Sequence, residues 1–189
     1  MKKIHAFYIL IFVCCSCPSL WAQNNKVVFS GLYELNVYND PSYKASFLYE
    51  HALNDRVSLN YNFSLGVTPE DGFVFQGPMG AYGGSFLLLL ALQDDEDDYY
   101  AMGILGFFIP EGLTFHIPFG ESTMLSPYFN ILSLQHSVYK TTPYIEAGFK
   151  IRQYFVNNAF IQLDLGVSSA YTRSTTRNFV GGGIGFDLH

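Results

Sequence analysis

The stretch RVSLNYNFSLGV, Arg56 to Val67, decides the fold. Val57, Leu59, Tyr61, Phe63, Leu65 and Val67 are apolar, and Ser58, Asn60, Asn62, Ser64 and Gly66 between them are small or polar. Such a period of two describes a strand with one apolar and one polar face. Two environments satisfy it. Either the apolar face meets a protein core and the polar face meets water, or the apolar face meets lipid and the polar face lines a barrel.

The flanking segments repeat the pattern. Upstream, Lys26 to Tyr38 sets Val27, Phe29, Tyr33, Leu35 and Val37 against Ser30, Glu34 and Asn36, with Leu32 out of place. Asn39-Asp40-Pro41 then reads as a turn. Ser42 to Leu53 sets Tyr43, Ala45, Phe47 and Tyr49 against Lys44, Ser46 and Glu50, and Asn54-Asp55 turns into the opening stretch. Such short turns predict an antiparallel meander. Downstream, Leu113 to Phe119, Pro143 to Phe155, Ala159 to Tyr171 and Arg177 to Leu188 alternate in the same way. Thr123 to Gln135 begins in register with Leu125, Pro127, Phe129 and Ile131, then slips to Leu132 and Leu134, which predicts a bulge.

Glu34, Lys44, Glu50, Glu146, Lys150, Arg152, Asp164 and Asp187 fall on the polar faces, and the apolar faces are almost free of charge through the strand centres. A soluble sandwich shows the same alternation, so strand length arbitrates. Segments of about ten residues or more cross a bilayer on a tilt, whereas soluble strands average about five or six. Aromatic residues form 17% of the chain, with 18 Phe and 14 Tyr, as expected where aromatic girdles meet a membrane interface. The sequence thus favours an all-β, antiparallel up-and-down transmembrane barrel of 8–10 strands.

The N-terminus reads as a secretory signal: Lys2 and Lys3, an apolar run from Ile4 to Val13, and a cleavage region ending at Ala22. All three cysteines, Cys14, Cys15 and Cys17, lie inside it, so residues 23–189 carry no disulfide and no thiol chemistry. Cleavage after Ala22 leaves 167 of the 189 residues, one domain's worth. With Lys2 and Lys3 set aside, 8 of the 10 basic residues face 16 acidic ones, a formal charge of −8. That balance argues against a nucleic-acid partner, which needs clustered Lys and Arg.

Residues 83–110 break the pattern. Phe86 to Leu92 and Ala101 to Ile109 are apolar without alternating, and the acidic run Asp94 to Asp98 lies between them. One reading makes them two more strands, ten in all. The other makes Thr68 to Pro110 an insertion of short helices or irregular structure, leaving eight. Both place the two termini at one end of the barrel.

A signal peptide, short alternating strands and a Gly-aromatic last strand (GGGIGFDL, Gly181 to Leu188) together resemble small Gram-negative outer-membrane β-barrels of the OmpA-like and OmpX-like kind. The resemblance implies an outer-membrane location, outer-membrane lipids around the barrel, and recognition of the last strand by the barrel-assembly machinery, with Phe186 and Leu188 facing out. The chain departs from that pattern by ending in His189. Ile109 to Ile117 resembles a motif of uncharacterised barrels of this type and implies no activity.

The inward charges read either as a porin-like pore lining or as a network of pairs. An eight-stranded barrel is just wide enough to be filled by its side chains, and buried charges need partners. Glu34, Glu50 and Glu146 are therefore expected to pair with Lys44, Lys150 and Arg152 and plug the lumen. His116 with Glu111, and His136 beside Ser137, raise a lipid-modifying hydrolase. Adjacent strand residues point to opposite faces, however, and Pro110-Glu111-Gly112 reads first as a turn, so no catalytic residue is assigned. Asp94 to Asp98 lacks the spacing of a calcium loop, and Gly181 to Gly183 lacks the helix and lysine of a phosphate loop. No metal or cofactor is expected, and these glycines are expected to make room for bulky neighbours. If Phe86 to Ile109 enters the wall, its apolar inner positions would suit a small hydrophobic molecule. The expected role is a structural or interaction scaffold presenting loops at Val67 to Pro78 and Thr172 to Thr176. Binding or transport of a hydrophobic molecule is the alternative, and a lipid-modifying hydrolase the third.

Overall fold

The computed structural model describes residues 25–84, 105–171 and 176–188. The signal sequence, the acidic run Asp94 to Asp98, most of Phe86 to Ile109 and most of the Thr172 to Thr176 loop lie outside them.

Ten strand segments form one antiparallel sheet: β1 (Asn25–Asn36), β2 (Pro41–Asn54), β3 (Val57–Thr68), β4 (Gly72–Pro78), β5 (Gly112–Phe115), β6 (Ile117–Pro118), β7 (Thr123–Ser137), β8 (Thr141–Val156), β9 (Ala159–Ala170) and β10 (Thr176–Leu188). The first strand pairs with the last from Asn25↔Leu188 to Asn36↔Arg177, which closes the ring. Closure removes the sheet edges, whose unpaired backbone groups hydrocarbon could not satisfy. Both β1 and β10 have their outer ends at one end of the barrel, called the terminal end below.

The ring has eight positions. β4 pairs with Ser64–Thr68 of β3 and with Ser137–Ser133 of β7. β5 pairs with Val57–Asn60 of the same β3 and with Tyr128–Asn130 of the same β7. The two short strands, with β6 beyond them, therefore share one place in the wall. This corrects two expectations. Thr68 to Pro110 is not wholly an insertion, because Gly72–Pro78 is wall, and Val67 to Pro78 is not a presented loop. Only Pro69 to Asp71 turns there.

Among the described residues between Pro78 and Gly112, Tyr82 and Phe108 meet the wall from its outer side. Residues 79–84 are helical, and the Tyr82 ring packs on the outward-facing Phe75 and His136, at 5.6 and 6.3 Å. The Tyr61 hydroxyl, also outward, donates to the Phe108 carbonyl at 2.9 Å. Glu111 closes the gap between β4 and β5. Its N–H donates to the Asn60 carbonyl, and its own carbonyl accepts from Ile131 and Leu132. Its carboxylate accepts from the Asn62 N–H at 3.1 Å and from the Ser133 hydroxyl. The β7 bulge between Asn130 and Ser133 sits opposite this residue, where the slip from Ile131 to Leu132 predicted it.

The alternation decides which side chains are covered. Ser58, Asn60 and Ser64 are buried in the lumen, while Leu65 and Val67 are exposed outside. Leu59, Tyr61 and Phe63 also point outward but are only half-exposed. Aromatic rings pair across neighbouring outer positions: Phe29 on Phe47, Tyr33 on Tyr43 and Phe115 on Phe129. Leu32, which breaks the β1 pattern, points inward and fills the space above Gly181. Gly185 leaves room for the Phe160 ring, Gly166 for Phe179 and Gly66 for the Lys44 stem. A Cβ at any of these would collide with its neighbour, so the inward glycines mirror the large residues opposite them.

Candidate functional site

The inward positions build three layers of polar side chains. In the first, on the side away from the termini, Glu34 of β1 meets Lys44 of β2 at 2.8 Å and Arg177 of β10 at 3.3 Å. Lys44 also donates to Gln76 and Gln135, at 2.8 and 3.3 Å. The β3–β4 turn folds onto this layer. Glu70 takes hydrogen bonds from Asn36 and Arg177, both at 2.8 Å, and Asp71 pairs with Lys140 at 2.6 Å. Burial alone would raise the Glu70 carboxyl. The Asn36 and backbone hydrogen bonds and the Arg177 charge outweigh it and hold the group below its ordinary range.

The second layer crosses the middle. Glu50 of β2 pairs with Lys150 and Arg152 of β8, at 2.8 and 2.7 Å, and all three are buried. β2 and β8 stand four places apart in the eight-position ring, so these pairs span its full width. Thr114 accepts from Lys150 at 3.0 Å and donates to Asn60 at 2.7 Å. Arg152 donates to Gln162 at 2.7 Å, and Gln162 in turn donates to Asp164 at 2.9 Å. Lys150 also lies over the Tyr128 ring and Arg152 over the Phe160 ring. The cavity left between these layers, bordered by Glu34, Asn62, Tyr128, Glu146 and Lys150, is about 30 Å³, room for one or two water molecules.

The third layer faces the terminal end. Lys26 pairs with Asp187 at 3.1 Å, and the Tyr154 hydroxyl reaches Asp187 at 3.3 Å. Ser58 Oγ lies 2.7 Å from His116 Nε2, and His116 Nδ1 lies 3.2 Å from Ser126 Oγ. Beside them opens a vestibule of about 770 Å³, bordered by Lys26, Ser58, His116, Glu121, Met124 and Tyr154 among others.

All eight residues singled out in the sequence point into the lumen, but not all pair as expected. Glu34 with Lys44, and Glu50 with Lys150 and Arg152, are in contact. Glu146 forms no ion pair among the described residues; Gln76 and Asn130 donate to it at 2.6 and 3.3 Å instead. Asp164 is likewise held by an amide, that of Gln162, and Asp187 takes Lys26. Glu111 and His116 do not meet; each binds serines. His136 points out of the barrel and Ser137 into it, as their adjacency on a strand requires. Sequence reasoning passed over Lys26, Gln76 and Arg177, although each shares the inward parity of its strand. Glu70, Asp71 and the Ser58–His116 contact lie beyond any strand periodicity.

No protein-family model matches the chain, and no curated relative matches it. Solved structures do. Neisserial surface protein A is similar with a TM-score of 0.55 at 5% identity, over 87% of this chain and 97% of that one. The N-terminal β-barrel domain of Pseudomonas aeruginosa OprF is similar with a TM-score of 0.50 at 15% identity, over 88% of this chain and 100% of that one. In fold the chain is a small antiparallel β-barrel like those of these outer-membrane proteins.

Proposed function

We propose that the chain is an integral outer-membrane barrel with a structural or interaction role, and that its lumen is closed by charge pairs. The observation that carries this is Glu50 held between Lys150 and Arg152 across the full ring, with about 30 Å³ of space on the far side of Lys150. An ion passing through would have to break two buried pairs. The turn tied down by Glu70 and Asp71 supports closure at the far end as well. The outward apolar face suits outer-membrane lipids, and β10, with Phe186 and Leu188 outward and half-exposed, suits the barrel-assembly machinery.

The test is reconstitution of the full-length protein in planar bilayers, beside fractionation of cells that produce it. The protein should band with outer membranes and give no conductance steps. Stepwise conductance would overturn the closed lumen, and recovery from the soluble periplasm would overturn the membrane barrel.

A further inference from the structure

We propose that Ser58 and His116 form a nucleophilic pair in the vestibule, acting on small uncharged acyl esters that reach it from the terminal end. The two residues lie 58 positions apart in sequence. Ser58 is the second residue of β3, and His116 is the inward residue between β5 and β6. Their 2.7 Å contact lies within the range a serine and its general base require. With the ring proton on Nδ1, that N–H donates to Ser126 Oγ and leaves Nε2 free to accept the Ser58 proton. Ser126 is then a positioning residue, in the place an acidic group takes in other serine hydrolases.

Three features of the surroundings fit this chemistry. The pair borders a cavity of about 770 Å³, large enough for a small ester. Ala52, Met124, Phe155 and Val156 give that cavity apolar wall for an acyl or alkyl group. Asp55 and Glu121, exposed beside it, disfavour anionic substrates such as phospholipid headgroups. Lys26 also borders the cavity, where its ammonium is paired with Asp187 at 3.1 Å.

In the first step Ser58 Oγ bonds to the acyl carbon while its proton passes to His116 Nε2. The ester C–O bond breaks, and the leaving alkoxide takes that proton. Water then attacks the acyl-serine, His116 accepts a water proton and returns it to Ser58 Oγ, and the carboxylic acid departs. No oxidant, metal or further reactant is required.

The experiment uses full-length protein refolded in detergent, a fluorophosphonate reporter and p-nitrophenyl butyrate. Heat-modifiable gel mobility confirms that each variant has formed its barrel. The native protein should label covalently and hydrolyse the ester; Ser58→Ala should abolish both, and His116→Asn should slow them at least about 100-fold. Ser126→Ala should lower kcat with KM unchanged, and Ser126→Thr should restore it. Absent labelling of a folded native barrel overturns the proposal, as does labelling that persists in folded Ser58→Ala. Neither result bears on conductance, so failure here is distinguishable from failure of the closed-lumen reading.

Discussion

Glu50 on β2 and Arg152 on β8 meet at 2.7 Å across the whole width of an eight-position ring, with both side chains fully buried. One carboxylate thereby serves two cations, since Lys150 reaches the same oxygen. Its removal leaves both uncompensated. Glu50→Ala should cost about 3–5 kcal/mol, read as a shift of the urea midpoint for unfolding from lipid vesicles. The triple replacement Glu50→Leu, Lys150→Met and Arg152→Met should come back close to the native midpoint, because it also removes the desolvated charges. A triple variant as unstable as the single would show that the network contributes more than charge balance.

The inward glycines give a second expectation. Gly185→Leu should destabilise the barrel by about 1–3 kcal/mol by forcing the Phe160 ring from its place. Adding Phe160→Ala should recover part of that loss. Gly31, on the outer face with open space around it, should accept Ala without loss. Equal effects at Gly31 and Gly185 would contradict the packing described here.

On the outer face, an arginine scan along β2 should follow depth. Phe47→Arg, at mid-strand, should cost about 2–4 kcal/mol, and Tyr43→Arg, near the strand's end, about 0–1. The half-covered Tyr61 of β3 should depart from this profile, because its hydroxyl is held by the Phe108 carbonyl on the outer side of the wall. A profile without depth dependence would mean that the belt does not face lipid.

Acid should release the far-end turn before it unfolds the barrel. Glu70 is held below its ordinary value of 4.5. A carboxyl depressed in the folded state adds stability that is present above that value and is lost as pH falls through the folded one. Protease cleavage within Pro69 to Asp71 should therefore rise on acidification below pH 4.5, and Glu70→Gln should cleave readily at neutral pH with little further change. Cleavage of the native turn that is indifferent to pH would remove Glu70 from the latch.

What was legible in the sequence followed from periodicity. The parity of Lys44, Glu50, Lys150 and Arg152 is enough to put them in the lumen, and a period of two admits no other arrangement once the outer face is apolar. Which partners they choose is a matter of ring position. Nothing in the chain order says that β2 stands opposite β8 and not opposite β7, and that depends on β4 and β5 sharing one place. The same sharing hid the role of Glu111, because Pro-Glu-Gly reads as a turn until the gap it fills is seen. Ser58 lies on β3 and His116 directly after β5, and the two become neighbours only through the β3–β5 pairing, so their contact has no local signal. Leu32 was the opposite case: its break in the pattern was visible, and its cause, the empty space above Gly181, lies 149 positions away in β10.

The wall place shared by β4 and β5 bears on how this barrel tolerates change in length. The chain between Pro78 and Gly112 is already a detour, anchored at both ends by pairing to β3 and β7. Closing such a detour costs chain entropy that grows only with the logarithm of its length, about 0.6 kcal/mol for each doubling. Residues can therefore be added or removed there at small thermodynamic cost while both strand pieces keep their register.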